Sequence, residues 1–212
     1  MNNAYESARA GFQIFKRKIL ADDELRGEYV AAIDMLRSLY DAGIYENRFI
    51  IGGAIEHITA AAIHGLGIPA TQIGRRDTRI DVEARFPGGI TAGYSIKQSS
   101  GGDIKLINKQ GSAESTWVEP TLFVLDKIGI VYADPELLPN ATKDVGDGIT
   151  VGGKLLRAFA TANVEYVIPL DIRKPELGNA PTSRTASEDV AHNILSKFRR
   201  LAPPEMAGTS SV

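Results

Sequence analysis

The chain contains no cysteine. A disulfide framework, a thiolate nucleophile and a Cys-ligated zinc site are therefore excluded, and a reducing compartment, the cytoplasm, is the expected location. It has no run approaching the ~20 apolar residues that a membrane span requires. Its first residues, "MNNAYESARAGFQIFKRK", hold no uninterrupted apolar core of a secretory leader. Charge of either sign is nearly balanced, with 24 Lys and Arg against 26 Asp and Glu, so no global field draws the protein to nucleic acid or to an anionic surface. A local basic cleft remains compatible with that balance. With three histidines and no Gly-x-Ser-x-Gly elbow, Ser-His-Asp catalysis has no anchor. What is present is ordinary for a globular domain: 43% of the 212 residues are hydrophobic, enough for a sizeable core.

Residues 4 to 44 read as two helices, the second opening on acids suited to a helix start. A third helix is expected from about Glu46 to His64, with an Ile51–Ile55–Ile58–Ala62 core stripe, although Gly52 and Gly53 each weaken it by up to ~1 kcal/mol. "GGDIKLINKQGSAESTW" reads as loop with a short helix. Phe123–Leu125 and Gly129–Tyr132 read as short strands, "VGGKLLRAFATAN" as a helix, "VEYVIPL" as a strand and "TASEDVAHNILSKFRRL" as a last helix capped by Ser187. The expected organisation is one domain over 1–201, with N-terminal helices 1–45, a core 46–170, a C-terminal helix 185–201 and a disordered tail 202–212. Helices, then a hairpin-centred sheet, then alternating elements make an α/β (α+β) fold, a mixed central sheet flanked by helices.

The most informative stretch is "DTRIDVEARFPGGITAGYSIKQSS", Asp77 to Ser100. Ile80, Val82, Ala84 and Phe86 alternate with polar residues before Pro87-Gly88-Gly89; Ile90, Ala92, Tyr94 and Ile96 alternate after it, the pattern of a β-hairpin. With the three-residue loop as turn, Phe86 faces Ile90, Glu83 faces Gly93, Asp81 faces Ser95 and Arg79 faces Lys97. Asp81, Ser95 and Lys97 then converge on one face, over which the small Gly93 and Ser95 are expected to leave open space. Gln98 points to the opposite face.

An Asp on one strand, and a following strand that ends in Ser95-Ile96-Lys97, resembles the PD-(D/E)xK nuclease superfamily, in particular type II restriction endonucleases. The texture "GRRDTRID…YSIKQSS…IKLIN…W…PTLFVL…GIVYADP" extends the likeness over about residues 46 to 134. The resemblance implies a restriction-endonuclease-like fold and Mg²⁺-dependent hydrolysis of double-stranded DNA. Asp81 would be a metal ligand, the Ile96 carbonyl a further one, and Lys97 the group that positions water. Such chemistry needs a hard cation with oxygen ligands. The acid of the motif is replaced by Ser95, and Glu114 or Glu83 is expected to supply it. Glu56, the only interior acid of the third helix and flanked by Gly52, Gly53, Thr59 and Ala60, would be a supporting carboxylate. Palindromic sites on DNA would favour a homodimer. The alternatives are a nuclease-fold DNA-binding module without catalysis and a non-enzymatic interaction protein.

Candidate DNA contacts are Arg75, Arg76, Lys105, Lys109, Arg173 and Lys174, with Arg79 beside the first two and Lys154 and Arg157 at a helix start. Gly148 to Leu155 matches a phosphate-binding loop only in part, because Leu155 stands where Ser or Thr would hold Mg²⁺; a glycine-rich helix start is expected instead.

Overall fold

A computed structural model describes residues 4–73, 79–99, 102–108, 116–146, 148–173 and 186–201. Among these the order is α1 (Ala4–Leu20), α2 (Asp23–Leu39), α3 (Tyr45–Gly65), β1 (Ala70–Gln72), β2 (Val82–Phe86), β3 (Ile90–Ser99), β4 (Ile104–Asn108), β5 (Thr121–Leu125), β6 (Gly129–Ala133), β7 (Thr142–Asp144), β8 (Gly148–Val151), α4 (Gly153–Ala162), a 3₁₀ turn (Val164–Tyr166), β9 (Val167–Pro169) and α5 (Ser187–Leu195). Six strands form a mixed sheet in the order β1-β2-β3-β5-β6-β9, in which only β3 and β5 run parallel. β4, β8 and β7 form a second, antiparallel sheet. The α+β reading of the sequence is thus met by a mixed sheet with helices.

The large sheet is buried on both faces over β5 and β6, every residue of which is inaccessible to solvent, and this explains their unbroken apolar runs. Leu122, Val124, Ile130, Tyr132 and Ile168 pack against α1, α2, α3 and α5. Phe123, Leu125, Val131, Ala133 and Val167 pack against Ile104, Val151 and the Leu156–Phe159 face of α4. Helical spacing places Ala8, Phe12, Phe15 and Ile19 of α1, and Leu25, Tyr29, Ile33 and Leu36 of α2, in the first of these layers. Asp22 caps α2 by accepting a 3.0 Å hydrogen bond from the Leu25 N–H.

α1 lies directly on the hairpin. Tyr94 Oη donates to the Ala8 carbonyl at 2.8 Å, and a Cβ on Gly11 would stand 2.7 Å from both Phe86 Cε2 and Tyr94 Oη. Gly11→Ala is therefore expected to lower the unfolding free energy by about 1–3 kcal/mol despite alanine's higher helix propensity. Urea denaturation measures it; an unchanged midpoint would show that α1 can lift away freely.

Three expectations are corrected. The segment read as loop and short helix contains β4: Ile104 is buried against the sheet, and the segment pairs with β8. Its alternation is too brief to be told from loop without that partner. The Gly148 stretch is likewise a strand, β8, which pairs on both edges, and the helix starts only after Gly152. Ser187 does not cap α5. Ala186 occupies that position without a side-chain bond, and Ser187 instead sits against Gly53, where any Cβ would collide with its hydroxyl. The expected tail from Ala202 lies outside the described residues. No helix among the described residues is long and apolar enough to cross a membrane.

Candidate active site

The hairpin register is the one the alternation dictates. Val82 pairs with Tyr94, Glu83 with Gly93 and Phe86 with Ile90. β2 ends its ladder at Val82, and Asp81 continues it through its own N–H, which donates to the Tyr94 carbonyl at 2.9 Å. Beyond that point the β2 side of β3 is open, and the Asp81 carboxylate folds into the gap. Its Oδ2 accepts from Ile96 N at 2.7 Å, Ser95 Oγ at 3.0 Å and Lys97 Nζ at 3.3 Å. Asp81, Ser95 and Lys97 converge as expected, with the Ile96 backbone as a fourth partner. A strand residue turns its N–H and C=O toward the same edge, so the Ile96 carbonyl also faces this gap. Asp81 Oδ1 accepts no hydrogen bond among the described residues.

Two details above the hairpin differ from the sequence reading. Residues 79 to 81 bend rather than extend the strand, and Ile80 folds over Gly93, whose added Cβ would meet Ile80 at 2.8 Å. The space over Gly93 is filled, not open. Arg79 does not face Lys97; it pairs with Glu119 at 3.3 Å and donates to the Thr116 carbonyl at 3.1 Å.

Glu56 reaches the same place from α3. Its Oε2 accepts from Gln72 Nε2, on β1, at 3.1 Å. Burial pushes the Glu56 carboxyl up to about 7, the Asp81 charge adds to this, and Gln72 and Lys97 offset it only in part. The two carboxylates thus sense one another across the gap, with a lysine beside both.

A cleft of about 430 Å³ opens here, lined by Arg48, Gly52 and Glu56 of α3, by Ile96 to Ser99 of β3, and by Asp103 and Lys105 across from them. Because it wraps around the free edge of β3, it takes residues from both sheet faces. Gln98 shares its face with Val124 on the helix side, yet it lines the cleft together with Lys97. Lys105 is exposed on the opposite wall.

The other candidates divide. Glu83 lies two ladder positions farther from Lys97 than Asp81 does, between Thr71 and Gly93; neither Glu83 nor Asp81 lines the cleft itself, but Asp81 bonds Ile96 and Lys97, which do. The Glu83 side chain is turned to the right sheet face but sits too far from the free edge. Arg173 emerges at the same end of the sheet, held by a bond from its N–H to Asp34 and by its carbonyl accepting from Arg37. It too lies outside the cleft. Glu114, Arg75, Arg76, Lys109 and Lys174 fall outside the described residues.

Sequence reasoning missed Arg48, Gln72 and Asp103. Arg48 was visible in principle, at eight residues and two turns before Glu56 on the same helix face. Gln72 was not, because nothing in "PATQIG" announces a three-residue edge strand. Asp103 borders the cleft but turns Oδ1 toward the start of α4, 3.7 Å from where a Gly152 Cβ would sit.

Glu56 has a measurable signature. In the unfolded chain its proton leaves near the ordinary 4.5; in the folded, metal-free protein it stays until about 7. The stability it contributes is complete below 4.5 and is lost as pH rises through 7, up to about 3 kcal/mol in all. Glu56→Gln should remove that dependence and make the metal-free protein more stable at pH 8 than the unaltered chain. Denaturant midpoints at pH 5 and pH 8 check this; parallel curves for both proteins would contradict it.

Among the described residues, no three His, Asp or Glu side chains form a ready-made metal cage. The centre is instead a pair of carboxylates, each with one oxygen tied and one without a hydrogen bond among the described residues, together with a backbone carbonyl and a lysine. Comparison of the chain with family models, with curated proteins and with solved structures returns no match.

Proposed function

We propose that the protein is a Mg²⁺-dependent endonuclease of the PD-(D/E)xK kind, acting on double-stranded DNA. The observation that carries the reading is the Asp81–Ile96–Lys97 cluster at the open edge of β3, faced by Glu56. The residue types fit the cation. Mg²⁺ keeps several of its waters and is held through one or two carboxylates. Asp81 Oδ1, Glu56 and the Ile96 carbonyl would hold it, and Ser95, in the place of the usual acid, serves to fix Asp81 through its hydroxyl. The bound cation would lower the pKa of a coordinated water and neutralise charge building on the phosphate.

The chain's own groups supply the rest. Lys97 Nζ, 3.3 Å from Asp81 Oδ2, orients the attacking water and adds positive charge beside the phosphate. Glu56, about half protonated at pH 7 without a cation, is drawn to its ionised form by one, so metal affinity should rise with pH through about 7. Arg48 and Lys105 flank the cleft with positive charge suited to a polyanion.

Calorimetric titration with Mg²⁺, paired with a Ca²⁺-supported gel shift of duplex DNA, tests the proposal. Metal binding that strengthens from pH 6 to pH 8 and disappears in Asp81→Asn, with a shifted DNA band, supports it. A shifted band without any metal binding would favour the binding-module reading. Neither signal would favour an interaction protein.

A further inference from the structure

We infer that the DNA strand being cut runs along the first half of α3, crossing the cleft over Gly52, with Arg48 holding a phosphate away from the cleavage point. This rests on the nuclease reading and adds to it the path of the substrate.

Arg48, Gly52 and Glu56 are spaced four residues apart in one helix, so they form a row that slants gently around one side of it, by about 40° per step. All three line the cleft. From Arg48 to Glu56 the row is about 12 Å long. A DNA strand rises about 3.4 Å per nucleotide, so a phosphate at Arg48 lies a few nucleotides from one at the carboxylates.

The middle of the row is vacant for a specific reason. A Cβ placed on Gly52 meets no atom within 4 Å, whereas on its neighbour Gly53 it would collide with Ser187 of α5. Gly53 is therefore required by helix packing, and Gly52 is not. A glycine in the middle of a helix, where a Cβ would meet nothing, weakens the helix with no gain in packing. What sets Gly52 apart from Gly27 of α2, whose Cβ would also meet nothing, is that its open side lines the cleft, where a ligand would pass.

Arg48 is prepared for such a ligand. Its Nε donates to the Ala42 carbonyl at 2.9 Å, which fixes the guanidinium plane at the cleft mouth. One of its five donors is thus used, and the Nη groups retain the fork that grips a phosphate. Lys105 on the facing wall and Lys97 at the floor add positive charge around the row, against the carboxylates of Glu56 and Asp103.

The test uses Gly52→Leu, Arg48→Ala and, as control, Gly27→Leu, a second mid-helix glycine with open space, on α2. Each is compared with the unaltered chain for melting temperature, Mg²⁺ binding without DNA, Ca²⁺-supported binding of a fluorescein-labelled mixed-sequence duplex, and Mg²⁺-dependent cutting. Gly52→Leu should melt no lower and bind Mg²⁺ unchanged, yet lose DNA affinity and cutting by at least about 10-fold, because leucine fills the path. Arg48→Ala should weaken DNA binding and lower the log–log salt slope by about one, the release of one phosphate's counterion. Gly27→Leu should change neither binding nor cutting. If Gly52→Leu binds and cuts normally, the strand does not cross there, and the proposal falls while the nuclease reading stands. If Gly52→Leu melts lower or loses Mg²⁺, the glycine is structural and the proposal also falls. If the unaltered chain neither binds nor cuts DNA, the underlying reading falls with it.

Discussion

Asp81→Asn and Lys97→Ala should each reduce Mg²⁺-dependent DNA cleavage by at least ~10³-fold, because each removes charge that acts on the transition state. Asparagine keeps the volume of Asp81 and can still accept from Ile96 N, but it offers the cation a neutral oxygen in place of an anionic one. Alanine at position 97 removes the only cation bonded to that carboxylate among the described residues. Neither change should unfold the protein. Both side chains are partly solvent-exposed, at 20% and 25%, and the loss of their hydrogen bonds costs about 1–2 kcal/mol. Single-turnover cleavage on one duplex, with circular dichroism melts in parallel, separates loss of chemistry from loss of fold. Cleavage at the unaltered rate in both variants would mean that the hairpin edge plays no part in catalysis.

The largest effect on stability is expected far from that edge. Arg37 and Asp126 are 3% and 5% exposed, and Arg37 Nη1 stands 2.7 Å from Asp126 Oδ1. The distance is that of an ion pair, yet neither Asp126 oxygen receives a properly directed hydrogen bond, and Arg37 Nη2 has none either. The pair is held by charge rather than by aligned donors, and the Arg37 Nη1 bond to the Arg173 carbonyl adds a 3.0 Å tie. Arg37→Met should therefore destabilise by about 3–5 kcal/mol, since it leaves a carboxylate buried without its partner. The double change Arg37→Met with Asp126→Leu should recover most of that loss, because an apolar pair of similar volume needs no solvation. Urea unfolding of the two variants gives the comparison; equal destabilisation in both would show that the packing of α2 on the loop after β5, rather than the charge, is what matters.

Much of this was legible in the sequence because one signal, strict alternation on both sides of a three-residue turn, fixed the hairpin register and with it the meeting of Asp81, Ser95 and Lys97. The third helix was legible through its apolar stripe, and Glu56 stood out as its single interior acid. What escaped depends on partners distant in the chain. β1 and β4 are strands only because β2 and β8 supply their hydrogen bonds, and neither has enough residues to show a period of its own. Ile80 leaves the alternation because a bend at residues 79 to 81 turns it onto Gly93, a local departure that a period-two pattern cannot register. The role of Gln72 follows from β1 and was hidden with it. Arg79 looked like a DNA contact in "GRRDTR" because the sequence does not show that Glu119, forty residues on, is its partner.

The central claim is that the free edge of β3 carries a metal-dependent phosphodiester-cleaving centre. The most direct measurement incubates the protein with supercoiled mixed-sequence plasmid in Mg²⁺, in parallel with EDTA and with Asp81→Asn, and maps any ends formed. The account predicts nicked or linear DNA only for the unaltered chain with Mg²⁺, with ends at recurrent positions. Plasmid left supercoiled under every condition, or cut equally by Asp81→Asn, would contradict it.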